Sequence, residues 1–293
     1  MLFHDLTYAF RTLRKSPVFA VTAVVTIALG IGASTAIFSV TNAVLLRSLP
    51  YKQPERLVLA CNDMRRRNVK DFPFSNADFL DLRNGAHSAF EDLGAVNTGR
   101  GPVGRADGTL EQVRFAGVST NFFRLMGAAI AFGRDFQDSD GLPQPALPQA
   151  GAAPGAPPQR LPVFAILSHE YFERRFGGDR SVLGQVLPVT GGPSPIVVGV
   201  LAPGCELLFP PEANEEQSPD IWAAARIPHD TANRNNVQWR VIGRLRTNVT
   251  IERAQAEAES VAERIRSVNP ISRTAGQYIR IEPMKRHLVS QVR

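Results

Sequence analysis

The sequence predicts an α+β protein in which one N-terminal transmembrane helix is followed by a domain mixing strands with short helices. Three observations carry that expectation. No Asp, Glu, Lys or Arg occurs between Ser16 and Leu46, in a chain that is otherwise 20% charged with a mean hydropathy of −0.10. Apolar and polar residues alternate around Val113, Phe115 and Gly117 and again around Val163, Ala165 and Leu167, the period of half-buried strands. From Trp239 to Ile281 a strand, an amphipathic helix and a second strand follow one another, which places one helical layer on a sheet.

Residues 1–15 come first. Leu2, Leu6, Phe10 and Leu13 fall on one helical stripe, with Arg11, Arg14 and Lys15 off it. That pattern suits a helix lying at a membrane interface, with its basic residues meeting anionic headgroups.

Residues 16–46 are the span. A helix of that length reaches about 45 Å, more than a hydrocarbon core of about 30 Å. Pro17 sits at its start, where a missing backbone donor costs nothing. A cleaved signal peptide is the competing reading, but an h-region of about 7–15 residues is shorter than this run. Ala28, Gly32 and Ala36 recur every fourth residue, as do Gly30 and Ser34, so one face lacks bulk and another helix backbone can approach it. Arg11, Arg14 and Lys15 favour a cytoplasmic N-terminus; the cations after the span, Arg47 to Arg67, belong to a long domain that largely escapes the charge bias.

In the domain from 47 to 293, Ser75 reads as the cap of a helix through DFLDLRN. Short helices are expected at Asn121–Leu125 and Ser168–Phe176, each ended by glycine, and a buried strand at Pro195–Leu201. Near the end, Trp239–Leu245 is a strand. Thr250 caps a helix with the stripe Ile251, Ala254, Ala258, Val261 and Ile265, Pro270 lies beyond it, and Tyr278–Ile281 begins the next strand. Residues 140–162 are rich in proline, alanine and glycine without periodicity, and are expected to form a flexible insertion rather than a domain boundary.

Motifs of catalysis are scarce. No GxxxxGK[ST] occurs, so the chain has no phosphate-cradling loop of its own. GRGPVG at Gly99–Gly104 matches GxGxxG but is not followed by a helix, and a glycine-rich hairpin explains the spacing. His4, His87, His169, His229 and His287 show no ligand spacing, and no metal or cofactor site is expected. Ser168 beside His169 reads as a helix cap rather than a nucleophile. Cys61 and Cys205 are either one disulfide or two small buried side chains. The net charge of +6 is dispersed and not interleaved with aromatics, which argues against nucleic acid.

The run DLTYAFRTLRKSPVFAVTAVVTIALGIGASTAIFSVTNAVLLRSLPY, then PERLV, resembles the start of MacB/FtsX-type ABC transporter permeases, particularly the MacB-like duplicated orphan permease group. FSNADFLDLRN, VSTNFFRLMGAAIAFGRDF, ILSHEYFERRFGGDRSVLGQVL, VVGVLAPG and GRLRTNVTIERAQAEAESVAERI extend the resemblance along nearly the whole chain. It implies a MacB-like periplasmic core domain, with a porter-like β-α-β part near the end and a mostly β subdomain in the middle. It also implies a non-catalytic permease component, of efflux or mechanotransmission type, in a bacterial inner membrane. ATP would be bound by a separate cytoplasmic ABC ATPase, engaged through the complete permease. The partners implied are membrane lipid and the remaining permease helices or a second protomer. The family carries further membrane helices and this chain stops at RHLVSQVR, so a truncated product holding the first span and the core is expected. The alternative function is a single-pass, membrane-anchored periplasmic binding or adaptor module. An anchored hydrolase finds no set of residues to support it.

Overall fold

The structure, a computed structural model, describes residues 17–41, 51–105, 107–145, 160–209, 213 and 215–285, with the side chains of 36–41 left out of that description. The chain divides into two compact units, Met1–Ser48 and Leu49–Arg293.

Among its described residues the first unit contains one helix, α1, at Pro17–Thr41. Its 25 residues reach about 37 Å, enough to cross a hydrocarbon core of about 30 Å. The stretch Pro17–Thr35 has a mean hydropathy of 2.0 and none of it is buried. Phe19, Leu29 and Ile31 all stand exposed, so the helix is apolar on every side rather than along one stripe. An apolar helix exposed on every side among the described residues is the form a lipid-facing segment takes. Thr22 and Thr26 do not spoil it, because their hydroxyls donate back to the carbonyls of Val18 and Thr22, each at 2.8 Å.

The second unit contains strands β1 (Leu57–Met64), β2 (Val69–Phe72), β3 (Phe74–Ser75), β4 (Phe90–Gly104), β5 (Leu110–Val118), β6 (Ile130–Gly133), β7 (Phe164–Leu167), β8 (Ile196–Leu201), β9 (Ile221–Ala224), β10 (Val237–Leu245) and β11 (Gln277–Pro283). Its helices are α2 (Asn76–Gly85), α3 (Phe122–Met126), α4 (His169–Phe176), α5 (Ile251–Val268) and α6 (Pro270–Ala275). The strands build one sheet in the order β11-β1-β10-β4-β5-β9-β7-β8-β6, with β2 added to β1 and β3 to β10. The middle strands expected of a mostly β subdomain are thus continuous with the porter-like end of the sheet.

The helix ends follow from local chemistry. The hydroxyls of Ser75, Ser168 and Thr250 accept from the backbone N–H groups of Asp78, Tyr171 and Arg253 at 3.1, 3.2 and 3.3 Å. Gly127 and Gly177 close α3 and α4 with φ of 73° and 58°, a left-handed conformation that suits glycine. On α5, Ala254, Ala258, Val261 and Ile265 are buried against the sheet as their spacing predicts, while Ile251 is only partly covered. Asn269 then starts α6 by accepting from Ile271 and Ser272, and Pro270 takes the first helical position.

One expectation about connectivity needs refinement. β10, α5 and β11 do form a strand-helix-strand unit, but β10 and β11 are not neighbours. β1 lies between them, antiparallel to both, with Ala60 facing Val241 on one side and Ile281 on the other. β1 escapes a search for alternation because both its faces are covered. Val58 and Ala60 join the helix-covered core, and Leu57, Leu59 and Cys61 join the core on the opposite face. That second core centres on Trp222, whose ring centroid lies 5.3 Å from that of Phe123 and 6.0 Å from that of Phe122.

Candidate functional site

In α1, Ala28, Gly30, Gly32 and Ser34 are all exposed, and a Cβ built on either glycine meets nothing within 4 Å among the described residues. The small-residue face is open. Ala36 lies in the same helix, its side chain outside the described residues. The interfacial set Leu2, Leu6, Phe10, Leu13, Arg11, Arg14 and Lys15 also falls outside the described residues.

Where the chain enters the second unit it is tied down one residue after another. The Tyr51 hydroxyl donates to the Glu206 carbonyl at 2.8 Å and accepts from the Leu208 N–H at 3.0 Å; burial pushes its pKa up. The Lys52 N–H donates to the last carbonyl of α3, Met126, at 3.1 Å. Gln53 adopts a left-handed φ of 46°, and Pro54–Arg56 make a 3-10 turn into β1. Arg56 donates from Nε to the Leu245 carbonyl at 2.8 Å and from Nη2 to Glu91 at 2.6 Å.

Behind this strap lies Arg244, a buried cation whose hydrogen bonds go to carbonyl oxygens. Its guanidinium donates from Nε and Nη2 to Leu125 at 3.1 and 2.6 Å, and from Nη1 to Gln53 at 3.2 Å. Burial lowers its pKa, and the fixed carbonyl dipoles take the place of water. It joins β10, the end of α3 and the strap in one hydrogen-bonded node. The chain also leaves beside the point where it entered: Pro283 of β11 faces Val58 of β1, and Met284 is fully buried in the core beneath.

The remaining charges are largely paired within the fold. Arg114 and Arg174 converge on Asp220, with Nη2 of each near Oδ1 at 2.9 and 3.0 Å. Burial alone would raise the pKa of Asp220, but the hydrogen bonds from Arg114 and Arg174 outweigh it and hold the carboxylate below its usual range. Arg234 bridges Asp78 and Asp81, and Asp81 also meets His229 at 2.9 Å. His87 contacts the Asn84 carbonyl at 2.9 Å and His169 approaches Glu173 at 3.9 Å, so these three histidines sit in separate places. Among the described residues no three His, Cys, Asp or Glu side chains gather as a metal site would require. Ser168 is engaged as the cap of α4. Gly99–Gly104 lies in β4, paired with β5 from Leu110 to Phe115, as the hairpin explanation of its spacing predicts. Cys61 is a buried thiol of the second core and Cys205 a half-buried thiol packed against the same core; both are free.

The insertion has a closed neck. Gln144 donates to the Leu161 carbonyl and accepts from the Leu161 N–H, both at 2.9 Å. Arg226 reaches the Leu142 carbonyl and, at 2.7 Å, the Pro162 carbonyl. Of the expected insertion, 146–159 fall outside the described residues. Neither the neck nor the Arg244 node is visible as a pattern in the sequence, because each joins residues far apart in the chain.

A family model for the MacB-like periplasmic core domain matches residues 20–261. Two solved structures share the fold. A domain of a putative permease protein from Porphyromonas gingivalis aligns with a TM-score of 0.55 at 14% identity, covering 80% of this chain and 92% of that one. The periplasmic region of MacB from Actinobacillus actinomycetemcomitans aligns with a TM-score of 0.50 at 13% identity, covering 81% of this chain and 92% of that one. No curated protein sequence matches the chain.

Proposed function

The chain belongs to the MacB-like periplasmic core domain family of ABC transporter permeases, and from that premise we propose that it works as a non-catalytic permease component anchored by α1. In this reading the N-terminus is cytoplasmic and the β-rich domain periplasmic. The small-residue face of α1 packs against other permease helices or a second protomer, and ATP is bound and hydrolysed by a separate ABC ATPase subunit. The observation that carries it is the exposed Ala28–Gly32 face on an apolar helix of which none of Pro17–Thr35 is buried, in a chain whose following domain is that of a permease family. The strap and the paired strands β1 and β11 support a role in transmitting movement, since the chain enters and leaves the sheet on hydrogen-bonded neighbours.

The test is purification of the tagged chain from bacterial membranes in mild detergent. Recovery together with further permease helices and an ABC ATPase is expected. Recovery of a lone chain without an ATPase would overturn this reading in favour of the anchored adaptor.

A further inference from the structure

At the far end of β1 from the strap, Arg65, Arg66 and Arg67 form an exposed 3-10 turn. β2 brings the exposed Lys70 to the same corner. α6 brings Arg273, because the Arg65 N–H donates to the Gly276 carbonyl at 3.1 Å just after that helix. The approach is close: a Cβ on Gly276 would lie 2.9 Å from Arg66 Cγ and 3.3 Å from its backbone nitrogen. Five cations therefore share one corner of the sheet.

Most other arginines of this unit have a carboxylate partner, but none of these five cations has one among the described residues. The acids nearby are already engaged, Asp63 and Asp71 by Arg280 at 2.9 and 2.7 Å. Arg65 is also held in place, its guanidinium carbon 3.2 Å from the centre of the Tyr278 ring. Stacking of this kind orients the planar fork while leaving its N–H donors for a ligand. Val69 of β2 and Ile271 of α6, on the elements that bring Lys70 and Arg273, stand exposed at 39% and 50%.

We propose that this corner is a docking surface for an acidic peptide segment of a partner protein, with the carboxylates on the arginine turn and apolar side chains on the valine and isoleucine rim. Charge complementarity and the oriented Arg65 fork argue for carboxylates. A bilayer fits less well, because the rim is β-branched and no exposed Trp, Tyr or Phe occurs there among the described residues. The surface goes beyond the permease reading, and its failure would leave that reading in place.

The test is fluorescence anisotropy of a short fluorescein-labelled polyglutamate peptide, titrated with the full chain in nanodiscs of zwitterionic lipid. Saturable binding is expected, weakened about tenfold or more by the combined substitutions Arg65→Gln, Arg66→Gln and Arg67→Gln. The set Arg100→Gln, Arg124→Gln and Arg253→Gln removes the same charge from exposed positions that are already paired, and should change binding less than about twofold. If the first set does not fold, Lys70→Gln with Arg273→Gln is compared with Arg100→Gln and Arg253→Gln, which removes two charges in each case, and a larger loss from the first pair is expected. Equal losses in both sets, absence of saturable binding, or binding of phosphatidylglycerol vesicles in place of the peptide would each overturn the proposal.

Discussion

Arg244 and Gln53, 191 positions apart in the chain, meet where the Arg244 guanidinium donates to the Gln53 carbonyl at 3.2 Å. The contact fastens the strap before β1 to a strand near the middle of the sheet, and the same guanidinium holds the Leu125 carbonyl in α3. A buried acceptor deprived of its donor costs about 1–3 kcal/mol. Arg244→Met keeps most of the volume and removes the donors, so it should lower stability by roughly 2–4 kcal/mol, with packing by the thioether offsetting part of the loss. Denaturant unfolding followed by the fluorescence of the core residues Trp222 and Trp239 measures this. An unchanged midpoint would show that the node is not a point of attachment.

Asp220 gives the domain an acid-sensitive contribution. Its folded-state pKa lies below the ordinary value, so the stability it supplies is present above the unfolded Asp pKa of about 3.9 and is lost as pH falls through the lower folded value. Asp220→Asn should therefore be less stable than the parent at pH 7, with the difference shrinking below about pH 4. Thermal melts across that range would contradict this if the gap stayed constant or widened on acidification.

The neck of the insertion should tolerate shortening beyond it but not within it. Replacing 146–159 by a short glycine-serine link keeps Gln144, Leu161 and Arg226 in place and should alter stability by less than about 1 kcal/mol, since loop-closure entropy varies slowly with length. A deletion that also takes Leu142 and Gln144 should cost more. Equal melting temperatures for the two deletions would remove any structural role from the neck.

The thiols should be inert. Burial pushes the Cys205 thiol up to about 11 and raises that of Cys61 as well, so the reactive thiolate is scarce at neutral pH. Alkylation of the folded chain at pH 7.5 is expected to be slow, becoming fast only on unfolding, and reductant should leave the melting temperature unchanged. A fall in melting temperature on reduction would mean that the two cysteines are bonded.

Gly32→Leu tests the open face of α1. A Cβ at this position meets nothing within 4 Å among the described residues, and leucine suits hydrocarbon at least as well as glycine, so insertion into the membrane should be unaffected, whereas packing against a partner helix should weaken. Co-purification of the variant with permease partners at the parental level would make the glycines incidental.

What the sequence determined by itself is what short-range physics decides. The uncharged run had to supply the apolar helix described at Pro17–Thr41; Ser75, Ser168 and Thr250 had to cap helices because their hydroxyls reach an N–H three residues on; and the Ala254–Ile265 stripe had to turn towards a sheet. The resemblance to a permease family rested on those same local signatures. Tertiary structure alone decided that β1, which carries no alternation, would slide between β10 and β11, because burial on both faces removes the polar half of the pattern. It alone placed Arg244 among carbonyls, Gln144 against Leu161, and five cations at one corner. Each of those depends on which distant segments the sheet order brings together, and sheet order is a property of the whole chain's burial rather than of any stretch within it.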